Sequence, residues 1–176
     1  MATIGRDEII DALTKLGALS QNEGEPIQLI LVGGGVMVLV FGERDSTRDL
    51  DVLIVTPAEG RKVKELAKIV ALERGWPDDW LNDAAKGFLV GVSEGPIIFS
   101  AVGIEVRRPG FPQLLAMKLS AWRDELDISD ARRILRELNG SREEIWQAVS
   151  PFLSPGRELK ARYAFEDLWE ATHGEA

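Results

Sequence analysis

Hydrophobic residues recur along this chain in two rhythms. In Arg6–Leu19 they fall at Ile9, Ile10, Leu13 and Leu16, the spacing of a helix with one buried face, and Gly17 and QNEGEP close that helix. Ile27–Val32 (IQLILV) is instead an almost unbroken apolar run, as expected of a buried central strand. Gly33, Gly34 and Gly35 follow directly. VMVLVF after them reads as a short helix, because a strand would meet one break at the glycines and a second at Gly42. GERDSTR is a loop, and DLDVLIV is a strand ended by Thr56-Pro57. Helical spacing returns at Ala58–Arg74, with Val63, Leu66, Ala67, Ile69, Val70 and Leu72 inward. WPDDWLNDAAKGF reads as an aromatic turn, with Trp76 and Trp80 as a packing plug. FLVGV, PIIFSAV and GIEVRR read as further strands. The rest is helical: Gln113–Arg123, Ile128–Leu138, Arg142–Phe152 and Arg157–Thr172, with Ser141 as the N-cap after an Asn139-Gly140 stop.

The layout predicts an α/β or α+β protein: a mixed β-sheet flanked by helices over residues 1–140, and a helical C-terminal extension over 141–176. At 176 residues the chain is long enough to bury a core, and 45% hydrophobic with 28% charged residues is a globular balance. The formal charge of −8 argues against general nucleic-acid binding, which needs a concentrated positive field. With no cysteine, this chain forms no disulfide, thiolate nucleophile or cysteine metal site. The N-terminus lacks the apolar centre of a signal peptide and no run reaches a membrane span, so a cytoplasmic protein without a membrane partner is expected.

The chemistry gathers between Val32 and Asp51. Glycines after a buried strand can serve close packing, and an Asp at a strand start can cap a turn. Two phosphate-binding patterns fail here. G-x-G-x-x-G would need a glycine where Val38 stands, and G-x-x-x-x-G-K-[ST] is absent. The combination is more informative. Asp49 and Asp51 are two residues apart on a strand and share a side, with Leu50 and Val52 facing the core. Paired carboxylates repel unless a cation lies between them. Mg²⁺ (or Mn²⁺) takes such a pair together with water and phosphate oxygens. A glycine turn on the adjoining strand would offer backbone N–H groups to those phosphates. The two features together describe a nucleoside triphosphate held through a metal ion.

Gly34-Gly35 at a strand-to-helix turn, followed by Arg44-Asp45-Ser46-Thr47-Arg48-Asp49-Leu50-Asp51, resembles the nucleotidyltransferase superfamily of DNA polymerase β type. In particular it resembles the minimal and abortive-infection-type nucleotidyltransferase-like bacterial proteins. PDDWLND (Pro77–Asp83) and LLAMKLSAWRDELDISDARRIL (Leu114–Leu135) are similar to later blocks of that group, so the likeness runs from about Ile27 to Leu138. The resemblance implies transfer of a nucleotide to a hydroxyl of RNA, transfer RNA in particular, or of protein, with pyrophosphate leaving. It also implies a toxin paired with an antitoxin protein. Asp49 and Asp51 would bind the metal; Gly33, Gly34 and Gly35 would cradle the triphosphate. Arg44, Ser46 and Thr47 would contact phosphate, with capping of the strand the other role open to the two hydroxyls. Lys118 would reach the triphosphate or a carboxylate.

Two departures bear on this. No hydroxyl residue follows Gly35, where Val36 and Met37 stand. The superfamily's third metal carboxylate, often the base, falls to Glu105, for which an exposed strand position beside Arg107 is the other reading. Both departures point to the alternative of a catalytically degenerate fold that binds a nucleotide or a protein. Asp124, Asp127 and Asp130 form a second acidic group, in which Asp127 and Asp130 read as capping and dipole residues of the following helix, or as partners of Lys118 or Arg123.

Overall fold

In the computed structural model, which describes residues 3–42 and 44–174, the apolar run Ile27–Val32 forms the central strand, β2, of a five-stranded sheet. On one side of β2 lie β4 (Leu50–Thr56), antiparallel to it, and then β5 (Leu81–Asn82). On the other lie β7 (Ile104–Arg107), parallel to it, and β6 (Ile97–Ala101) at the edge. A separate two-stranded pair joins β1 (Ile4–Gly5) to β3 (Ser46–Thr47). This is the predicted mixed sheet with helices around it. β5 was not legible as a strand, because two residues carry no periodicity.

One face of the sheet is the core of this unit. Leu29, Leu31, Leu50, Val52, Ile104 and Val106 are all buried on it. The helices α1 (Arg6–Asn22) and α3 (Gly60–Arg74) pack on the strands and on each other. α1 does not stop at Gly17. The helix runs on to Asn22, and a Cβ at Gly17 would meet the Val102 carbonyl at 2.4 Å and Ile104 Cγ2 at 2.5 Å, so this glycine permits close approach of helix and sheet. On α3, Ile69 and Leu72 are exposed at 44% and 84%, contrary to the predicted inner face, which narrows to Val63, Leu66, Ala67, Val70 and Ala71. Trp80 is fully buried and its Nε1–H donates to the Ala67 carbonyl at 2.8 Å, so the aromatic turn is the packing plug expected.

The chain divides into two compact units, residues 1–87 with 95–108, and residues 88–94 with 109–176. In the second unit α4 (Phe111–Ala121) is packed by α5 (Glu125–Leu135), α6 (Arg142–Val149) and α7 (Glu158–His173). FLVGV is not a strand; it belongs to this unit as a loop. The buried Gln113 side chain satisfies its neighbourhood, accepting from Ser93 N–H at 2.8 Å and donating to the Gly91 carbonyl at 2.9 Å. One glutamine thus replaces a strand partner for backbone groups that would otherwise be left unpaired.

Candidate functional site

β2 ends at Val32 and the chain turns at once through Gly33, whose φ of 70° lies in the left-handed region. A helical segment starts at Gly34 as α2 (Gly34–Val36) and continues as a π-helical turn, Met37–Phe41. Such turns recur at functional sites. The first amides of a helix have no partner within it and are available to acceptors beyond it.

Each glycine of the turn faces a different residue of the loop and strand that follow. A Cβ on Gly33 would lie 3.0 Å from Asp51 Oδ2. One on Gly34 would lie 2.6 Å from Thr47 Oγ1 and 2.9 Å from an Arg44 guanidinium nitrogen. One on Gly35 would lie 2.7 Å from a Leu50 methyl. Side chains at these positions would push the loop and the Asp51 carboxylate off the turn. The antiparallel register makes this juxtaposition, since Val32 is the direct partner of Asp51.

Asp49 sits just before β4 and is half-buried. Its Oδ2 accepts from Asn82 Nδ2 at 3.3 Å. Asn82 is also the register partner of Asp51 on β5, so its side chain holds Asp49 while its backbone lies beside Asp51. The rest of that amide is also used: Nδ2 donates to the Asp79 carbonyl at 3.3 Å and Oδ1 accepts from Ala84 N–H at 3.1 Å. Burial pushes the Asp49 carboxyl above its ordinary value. The Asn82 hydrogen bond opposes the rise, the nearby Asp79 charge adds to it and Arg48 works against it. Asn82 was within the PDDWLND block but carried no sign of its role, because the β4–β5 pairing that aims it is invisible in sequence. Its neighbour Asp83 is held below its ordinary value by Lys64 at 2.8 Å and Lys86 at 3.0 Å.

The loop residues divide. Thr47 is buried and its hydroxyl donates to the Asp49 carbonyl at 3.2 Å, the capping role rather than a phosphate contact. Ser46 lies on β3 opposite Gly5. Arg44 is laid against Gly34.

Glu105 is not brought to the pair. It is level with Gln28, whereas Asp51 is level with Val32. Four residues along β2 separate those levels, about 13 Å at the strand rise of about 3.3 Å per residue. Ile104 and Val106 do pack inward, so Glu105 shares the sheet face of Asp51, but at the other end, where it pairs with Arg107 at 3.1 Å. Among the described residues, no group of three or more acidic or histidine side chains is arranged to hold an ion. The predicted metal residues left at this end of the sheet are Asp51, against the turn, and Asp49, held by Asn82. That set suits Mg²⁺ or Mn²⁺ when water and phosphate oxygens complete the coordination.

Lys118 belongs to the second unit and is engaged there. Its ammonium lies 2.7 Å from Asp130 and 3.4 Å from Asp127, both carboxylates being nearly inaccessible. Arg123 adds a side-chain and a backbone N–H to Asp127, each at 3.0 Å. Burial raises the Asp127 carboxyl, but these hydrogen bonds and the Lys118 charge outweigh it and leave the group below its ordinary value. Asp124, not Asp127, is the N-cap of α5, accepting from Asp127 N–H at 3.0 Å. The Lys118 block is thus a buried ion cluster between α4 and α5. No family model, curated protein or solved structure matches this chain.

Proposed function

We propose that the Gly33–Gly35 turn and the Asp49–Asp51 pair form a site for a nucleoside triphosphate with a divalent metal. The proposed activity is nucleotidyl transfer to a hydroxyl acceptor on RNA or protein. The observation that carries this reading is the contact geometry of the turn: Gly33 faces Asp51 and Gly34 faces Arg44, so phosphate donors and carboxylates converge on one corner of the sheet. The turn amides would bind phosphate oxygens and Arg44 would add a guanidinium fork. Asp49 and Asp51 would hold Mg²⁺ or Mn²⁺, which when bound offsets negative charge developing on the leaving pyrophosphate. Asn82 would keep Asp49 aimed at that position. In the reaction the acceptor oxygen gives up its proton and bonds to the α-phosphorus, while the bond to the β-phosphate breaks and pyrophosphate departs. No helix among the described residues is long and apolar enough to cross a membrane. A cytoplasmic setting, where such nucleotides are supplied, accords with the reading.

A second reading, nucleotide binding without transfer, is favoured by the register of Glu105. Among the described residues, that register leaves the pair without the third carboxylate on which two-metal chemistry and proton removal would draw. Incubation with each labelled nucleoside triphosphate, Mg²⁺ and total RNA separates the two. Label transfer with pyrophosphate release that is lost in Asp51→Ala supports the enzyme. Saturable nucleotide binding with neither product supports the binding module.

A further inference from the structure

The loop carrying Arg44, Ser46 and Thr47 is polar, yet it is held on one edge by the beginning of the chain. Ile4 lies opposite Thr47 and Gly5 opposite Ser46, 43 and 41 residues apart in sequence. A two-residue pairing has little stability of its own. Here both partners are anchored. Ile4 is 2% exposed and Thr47 5%. Gly5 leads directly into α1, and its N–H donates to Glu8 Oε2 at 2.8 Å, closing the first turn of the helix. α1 is in turn fixed to the sheet by Ile9, Ala12, Leu13 and Leu16 and by the close approach at Gly17. β1 is therefore the leading end of an element already ordered, so pairing with the loop costs little further chain entropy.

The loop needs such a constraint. Thr47 Oγ1 and an Arg44 guanidinium nitrogen lie 2.6 and 2.9 Å from where a Cβ on Gly34 would stand, so the loop is laid directly against the turn and a shift in it would change that contact. A slip of one residue in β3 would also exchange the two sides, turning Thr47 out and Ser46 in.

We infer that β1 is a strap that sets the register of the Arg44–Thr47 loop against the glycine turn, making Ile4 and Gly5 positioning residues for the nucleotide site. The affinity consequence rests on the nucleotide reading above; the ordering of the loop does not. The test compares Ile4→Ala with Ile9→Ala, the same truncation at two buried isoleucines, one in the strap and one in α1 behind it. Amide hydrogen exchange at Ser46 and Thr47 is followed, together with affinity for the Mg²⁺ complexes of ATP, GTP, CTP and UTP and the melting temperature. Ile4→Ala is expected to speed exchange at both amides and to weaken nucleotide binding about tenfold, equivalent to about 1.4 kcal/mol. Ile9→Ala is expected to lower the melting temperature and leave both other quantities unchanged. Wild-type exchange and affinity in folded Ile4→Ala, or equal changes in the two variants, would overturn the strap. If Ile4→Ala fails to fold, Ile4→Val is judged by the same criteria. If wild type binds none of the four nucleotides, the nucleotide reading falls and the exchange comparison alone decides.

Discussion

Asp51 and Gly33 face each other across β4 and β2, with Asp51 Oδ2 3.0 Å from the place a Cβ on Gly33 would occupy. Gly33 also combines a φ of 70° with a ψ of −148°, a conformation essentially confined to glycine that costs an L side chain about 1–3 kcal/mol. Gly33→Ala therefore meets two obstacles at once. Chemical denaturation is expected to show a loss of about 1–3 kcal/mol, and nucleotide binding should fall further than stability alone explains. Wild-type stability and binding in this variant would mean that the turn tolerates a side chain and is not shaped around Asp51.

Asn82 holds Asp49 through a single hydrogen bond of 3.3 Å. Removing it in Asn82→Ala leaves burial and the Asp79 charge to push the Asp49 carboxyl further up. Protons then compete better with a metal ion as pH falls. A Mn²⁺ titration is expected to show affinity reduced about 10–100-fold, the range for loss of an orienting partner. The deficit should widen as pH falls toward the raised Asp49 carboxyl value. A pH-independent change would place Asn82 outside the metal site.

Lys118, predicted at the nucleotide site, instead neutralises Asp127 and Asp130 in the second unit. Lys118→Met removes one cation from two nearly buried carboxylates, with Asp127 keeping Arg123, and about 1.5–3 kcal/mol of destabilisation is expected. Adding Asp127→Asn and Asp130→Asn should restore much of it. If Lys118→Met keeps its melting temperature and loses only nucleotide affinity, the structural role assigned to Lys118 fails.

The same cluster sets an acid limit. The Asp127 carboxyl is held below its ordinary value in the fold, so the unfolded chain binds its proton at a higher pH than the folded one. Its contribution is complete above the unfolded value of about 3.9 and disappears as pH falls through the lower folded value. Thermal melts of Asp127→Asn are thus expected to lose less stability than wild type between about pH 4 and pH 2. Parallel melting curves would remove Asp127 from the acid transition.

How much of this was legible in sequence depends on the kind of signal each residue gave. Leu50 and Val52 announced their burial by alternation, so Asp49 and Asp51 could be set on the other side from spacing alone. The helix after the glycines was legible because Gly33 and Gly42 bracket it. Glu105 failed for a reason alternation cannot supply: its face was right, but its level along the sheet depends on β2–β7 register. Asn82 was silent for the same reason, being aimed by a two-residue strand. Lys118 was drawn to the nucleotide by likeness to a sequence block. In the folded chain that block satisfies its own charges, and Asp130 lies only 2.7 Å from it. Ile4 was invisible because a partner 43 residues away leaves no local pattern.

The convergence of the glycine turn and the aspartate pair on one metal–nucleotide site is tested most directly by calorimetric titration of the full chain with ATP, GTP, CTP and UTP. Each titration is run with Mg²⁺ and with a chelator, alongside Asp51→Asn. Saturable binding of at least one nucleotide that requires the metal, and that disappears in Asp51→Asn while its melting temperature is kept, is the predicted result. Failure of all four nucleotides to bind, or binding that survives both the chelator and Asp51→Asn, would contradict it.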